Sequence, residues 1–217
     1  SVFVSGLGLK FTQSVIDLSG GMLFPLLCLT AISAIILGMG MTTTAVYITV
    51  AALIVPSLVQ AGVTPIAAHM FAFYFGVVST ITPPVALASF AGAAIAKSPP
   101  MSTAVESSKV GIAKYIVPFA FIYNPSLLME GPTWISIYSL FSVLIAYWSM
   151  TLGLEGWFNG PLKVFTRIIA FASSVLLLIP PLEIVYGYSG FLLNSIGLLL
   201  LIAVYFIQGR FKVWSSA

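Results

Sequence analysis

Charged side chains are nearly missing from this sequence. Of its 217 residues only 6% are Asp, Glu, Lys or Arg, against about 25% in soluble globular domains. None occurs between Asp17 and Lys97, and in that stretch only His69 ionises near neutrality. The composition is 60% hydrophobic and the mean hydropathy is +1.14. Since one spanning helix uses about 20 apolar residues, this excludes a soluble fold and points to a polytopic membrane protein. Cysteine is also scarce. Cys28 alone, in an apolar stretch, gives no internal disulfide and no metal-site spacing, and reads as a small buried hydrophobe. Carboxylates are absent at membrane depth, which removes the paired aspartates of an intramembrane protease and the usual proton relay. No enzyme is expected, and sodium coupling is expected over proton coupling. No initiator Met and no basic n-region with a cleavage site is visible, so the chain is expected to be cut from something longer. The net charge of +3 would suit nucleic acid or an anionic surface, but its placement favours topology, with no nucleic-acid partner.

What is present is a series of apolar runs. They cover Met22 to Leu37, Ala45 to Val59, Ile66 to Ala96 with an interruption near Thr82, Ile112 to Met129, Trp134 to Leu152, Phe165 to Leu182 and Phe191 to Ile207. The first two hold about 16 and 15 residues, or roughly 24 and 22 Å of helix, against a hydrocarbon core of roughly 30 Å. Both read as too short for a comfortable crossing. Basic residues orient the rest. Lys97, Lys109, Lys114, Lys163, Arg167, Arg210 and Lys212 fall in alternate loops and the tail, whereas the intervening loops carry Glu130 and Glu183. Short cytoplasmic loops are rich in Lys and Arg, so these belong inside, with a cytoplasmic C-terminus and only Lys10 outside. The stretch from Asp17 to Ile66 then begins and ends outside, as two crossings or as a re-entrant hairpin. Short arms and a Gly/Thr join favour the hairpin.

Two breaks interrupt the uncharged region: "GMGMTTTAVY" from Gly38 and "STITPPVAL" from Ser79. Irregular backbone at membrane depth is tolerated only when buried in protein or lining a wet cavity. Pro83 and Pro84 lack amide donors and Pro83 disfavours helical geometry at Thr82, so the carbonyls of Ser79 and Thr80 are expected to lose their usual partners. Free carbonyls beside hydroxyls suit a small hard cation such as Na⁺, with helix-end dipoles facing it. At the first break, Gly38 and Gly40 permit a tight turn. Thr42, Thr43 and Thr44 offer oxygens and a cap for the arm starting near Ala45, and the exposed amides there suit a carboxylate. A kinked helix or a plain loop explains either break alone. Two successive uncharged, hydroxyl-rich breaks are the arrangement of secondary transporters with discontinuous helices. A gated ion channel and a non-transporting structural membrane subunit remain the alternatives.

The stretch "LGMGMTTTAVYITVAALIVPSLVQAGVTPIAAHMFAFYFGVVSTITPPVALASFAGAAIA" closely resembles the large permease of tripartite ATP-independent periplasmic (TRAP) transporters, especially the fused form that works with TAXI-type solute-binding proteins. "MSTAVESSKVGIAKYIVPFAFIYNPSLLMEG" continues the likeness, which covers roughly residues 5 to 131. The resemblance implies an all-α elevator-type carrier of the bacterial inner membrane, built from inverted repeats. Residues 1–131 would hold a re-entrant hairpin at about 18–60, a broken helix at about 66–96 and a spanning helix at about 111–130. Residues 132–217 would add three C-terminal helices. It further implies Na⁺-coupled uptake of an organic anion, a carboxylate delivered by a periplasmic TAXI-type protein. The other repeat and the small membrane region would complete the permease, and this chain alone would not transport. Gly38, Gly40, Thr42, Thr43, Thr44, Ser79, Thr80, Thr82 and Pro83 would form the ion and substrate contacts, with Na⁺ at Thr42, Thr43, Ser79 and Thr82. No other cofactor is implied. At position 42 the family commonly has proline, where this chain has Thr42.

Among the remaining residues, His69 reads as a neutral, interfacial structural group, with proton coupling as the alternative, and Asn124 with Pro125 as a mid-span kink whose amide serves helix–helix bonding or substrate contact. "SPPMSTAVESSKVGIAKY" also suits an amphipathic helix along the membrane surface. Trp134, Trp157 and Trp214 read as interfacial belt residues.

Overall fold

A computed structural model of the chain describes residues 7–158, 160–185 and 187–214, with no side-chain account from 209 onward. The side chains of Arg210, Lys212 and Trp214 therefore lie outside the described residues. The chain is mostly helical and divides into two compact units, Ser1–Ile122 and Tyr123–Ala217.

The first unit begins with α1 (Leu7–Leu18), which the apolar runs had not assigned. A helical hairpin follows: α2 (Leu23–Gly38), the connection Met39–Thr42, then α3 (Thr43–Leu53) and α4 (Val55–Gln60). Pro56 explains the division of the second arm. It offers no amide to the preceding turn, yet its fixed φ suits the first turn of a helix, so the arm resumes rather than stops. This corrects one expectation. The first arm keeps its 16 residues, but Thr43–Gln60 reaches 18 and is long and apolar enough to cross a membrane.

Both arms pack against α5 (Pro65–Val78), which opens with Pro65 at its first position. Ala68, Ala72 and Gly76, spaced by four on one buried face, allow close helix approach. Phe71 and Phe75 are buried with ring centroids 4.8 Å apart, and Phe119 closes on them at 5.4 and 5.8 Å. After an irregular stretch at 79–86 come α6 (Leu87–Ala96), α7 (Pro100–Val110) and α8 (Ala113–Tyr123). The helix expected to about residue 130 stops at Tyr123, because Pro125 draws Asn124 out of helical geometry (φ −130°, ψ 78°), and a 3-10 turn, Pro125–Leu128, takes over.

The second unit holds α9 (Thr133–Glu155), α10 (Val164–Leu177) and α11 (Gly190–Trp214), with α10 packed against both others. By length and composition α9 and Gly190–Gln208 of α11 suffice to cross a membrane, whereas α10 has 14 residues. Pro180 and Pro181 end the apolar run that had been expected to reach Leu182 as helix. A two-residue hairpin, β1 (Ile184–Val185) with β2 (Tyr188–Ser189), leads into α11. Buried serines link these helices by donating to backbone carbonyls of their neighbours: Ser142 to Leu177 at 2.7 Å, Ser149 to Ala170 at 2.8 Å and Ser173 to Gly197 at 2.7 Å. Trp134 and Trp157, at either end of α9, are exposed, as belt residues require.

Candidate functional site

The two breaks of the uncharged region meet in the first unit. Gly38, the last residue of α2, is buried directly against Ser79, the residue that ends α5. A Cβ added at Gly38 would collide with Ser79 Oγ and lie 2.7 Å from its Cβ. Gly40 has φ +79°, a conformation few other residues adopt without strain, and faces Val85 Cγ1 at 3.8 Å from its own Cβ position. The glycines thus serve both geometry and approach: they turn the hairpin tip and seat it on the broken segment.

The hydroxyls divide into two groups. Those of the broken segment bond back to the preceding turn: Ser79 donates to Gly76 O at 2.6 Å, Thr80 to Val77 O at 2.7 Å and Thr82 to Val78 O at 2.7 Å. Those of the tip stay available. Thr42, Thr43 and Thr44 are exposed, and among the described residues no hydrogen bond engages their side chains. Thr42 occupies the N-cap position of α3 with extended backbone, but its hydroxyl makes no capping bond, contrary to expectation. The turn leaves that hydroxyl outside, while Thr42 O accepts the Val46 amide at 2.9 Å.

The carbonyls expected to be free are a second correction. Ser79 O accepts the Thr82 amide at 3.3 Å, and Thr80 O accepts the Ala88 amide at 3.0 Å. The amide of Ala88, near the start of α6, supplies a donor to Thr80 that the sequence did not reveal. Each carbonyl keeps a second lone pair.

Three residues outside the expected set lie beside the break. Tyr115 of α8 meets Thr82 Oγ1 at 2.7 Å, and Ser108 of α7 donates to Ile81 O at 3.0 Å. Ser89, the third residue of α6, is buried and its Oγ has no hydrogen-bond partner among the described residues. Ser108 and Tyr115 stand on the surface-helix motif at a spacing of seven, a weak hint that they share a face; nothing in the sequence joined them to Thr82. His69 of α5 pairs with Tyr47 of α3 through Nδ1 at 3.1 Å, so it ties the second arm to α5 and stays off the tip. Among the described residues no group of three His, Cys, Asp or Glu side chains assembles. The donor set at the junction is hydroxyl and carbonyl oxygen.

The hairpin tip is thus seated on a broken helix within a stretch, between Asp17 and Lys97, that carries no Asp, Glu, Lys or Arg. A family model described as the tripartite ATP-independent periplasmic transporter, DctM component, matches residues 1–131. The chain belongs to this family. This TRAP permease is therefore a multi-pass membrane subunit of a transporter, in a family that works with a periplasmic solute-binding protein. The match contains both breaks, α7 and α8, and leaves residues 132–217 outside. No curated protein and no solved structure matches the permease.

Proposed function

We propose that this permease carries an organic anion inward with Na⁺, taking a carboxylate from a periplasmic TAXI-type binding protein. The observation that carries the reading is the seating of Gly38 on Ser79, which joins the two irregular segments. Irregular backbone and unpaired hydroxyls converge where lipid would forbid them unless a ligand or water is served. Neutral hydroxyl and carbonyl oxygens suit a monovalent hard cation. The ion contacts are assigned to Thr42, Thr43 and Thr44 at the tip and to Thr82. Gly38, Gly40, Ser79, Thr80 and Pro83 shape the junction, and the start of α3 faces the carboxylate with free amides. Ser79, like Thr82, keeps an oxygen lone pair for Na⁺ although its proton is donated to the preceding turn. Ser89 adds a buried oxygen just beyond the break.

In this reading the hairpin is re-entrant, the permease sits in the bacterial inner membrane with its C-terminus in the cytoplasm, and the other inverted repeat completes the elevator. The test is uptake of a labelled carboxylate panel into proteoliposomes by the complete transporter with its binding protein. Thr43→Ala and Thr82→Ala are expected to raise the sodium concentration for half-maximal uptake by about tenfold, equivalent to about 1.4 kcal/mol. Unchanged sodium dependence in both variants would remove the site assignment. Uptake against a gradient that vanishes without the binding protein separates a carrier from a channel.

A further inference from the structure

We propose that Tyr115 is a positioning residue for ion coupling: its hydroxyl donates to Thr82, which itself donates to Val78 O, and the two bonds together fix the direction of the one Thr82 lone pair left for an ion. The inference rests on the reading of Thr82 as an ion contact.

Counting protons settles the directions. Thr82 Oγ1 lies 2.7 Å from Val78 O and 2.7 Å from Tyr115 Oη. A hydroxyl holds one proton and two acceptor lone pairs, and a carbonyl only accepts. Thr82 therefore donates to Val78 O, and Tyr115 must donate to Thr82. Ser108 Oγ spends its own proton on Ile81 O at 3.0 Å. The Tyr115–Ser108 separation of 3.4 Å exceeds the usual range for paired hydroxyls, so it does not compete for the Tyr115 proton. Three hydroxyls thus donate three protons, and one lone pair of Thr82 is left over. Because a threonine hydroxyl rotates to suit its surroundings, the bond to Val78 O and the bond from Tyr115 together keep that lone pair in place.

The same bonds attach two consecutive residues of the break to the following helices, Ile81 to α7 through Ser108 and Thr82 to α8 through Tyr115. Ser108 holds only backbone, whereas Tyr115 holds the oxygen itself. The two ties therefore differ in what they do for an ion, and that difference makes the inference testable.

The experiment uses the purified, full-length permease and sodium alone as the probe. Thermal unfolding is followed across NaCl concentrations, with choline chloride keeping the ionic strength constant, so that bound sodium appears as a rise in midpoint. Tyr115→Phe, which keeps the ring, is expected to raise the half-saturating sodium by about threefold to tenfold, the effect of one net hydrogen bond. Its midpoint in choline should stay near the parent value. Thr82→Ala should shift half-saturation at least as far, and Ser108→Ala should leave it near the parent value. Tyr115→Phe without a shift, beside a clear shift in Thr82→Ala, overturns the positioning role and leaves the sodium reading intact. No shift in Thr82→Ala overturns both. A shift in Ser108→Ala equal to that in Tyr115→Phe shows general loosening of the break and also overturns the inference.

Discussion

At Gly38 a single hydrogen atom decides whether the hairpin tip can rest on the broken helix. Gly38→Ala places a methyl against Ser79 and, at 3.1 Å, against Val46 Cγ1. Overpacking of this kind costs about 1–3 kcal/mol. We expect a lower thermal midpoint and a loss of uptake greater than the loss of inserted protein, with Ser79→Gly in the same chain recovering part of both. Failure of that second change to recover either quantity would show that the contact does not limit the tip. Thr42 offers the opposite case. Its φ of −70° and ψ of 150° suit proline, so Thr42→Pro is expected to fold and to gain about 0.4–1 kcal/mol in thermal unfolding. Residue identities in these breaks were legible from sequence, since glycine and proline stand out in an apolar run. Hydroxyl partners were not, because a serine or threonine at a helix end bonds equally well to its own turn or to a ligand.

Whole elements show how local signals shift when they meet neighbours. Arg167 reads in sequence as a topology residue, yet its guanidinium caps α9: Nε donates to Gly153 O at 2.8 Å and Nη2 to Leu154 O at 2.7 Å. These carbonyls end a helix and, among the described residues, have no backbone amide partner. Arg167→Met is expected to cost about 1–2 kcal/mol in thermal unfolding of purified protein and to speed hydrogen exchange at the end of α9. Arg167→Lys should recover only part, since one ammonium does not reproduce the planar fork. A smaller cost, about 0.6 kcal/mol, is expected for Ser149→Ala, which removes one α9–α10 bond. The element boundary that sequence placed well was the start of α5, where Pro65 acts alone, whereas the end of α8 before Pro125 was expected several residues later. The length of the second arm was misjudged because Thr43, Thr44 and Gln60 join its helices although they lie outside the apolar run.

Across the molecule, the family match ends at residue 131 and the compact units divide at 122 and 123, so the segment Tyr123 to Gly131 belongs to the second unit in structure and to the matched region in sequence. The three C-terminal helices carry their own interhelical serine bonds and the core of Leu152, Leu162, Ala170, Leu201 and Val204. A fragment covering residues 132–217 is accordingly expected to insert by itself and to give a helical circular dichroism spectrum with a cooperative thermal transition. An aggregated product without such a transition would show that these helices need the remainder to fold. The sequence by itself determined the membrane class, the helical content and the location of both breaks, because partition into lipid and the backbone limits of Gly and Pro are local properties that add along the chain. Only the tertiary structure decided that Gly38 rests on Ser79, that Ala88 satisfies Thr80, and that Tyr115 reaches Thr82. Those are contacts between separate elements, and the path of the backbone sets them rather than the character of either partner.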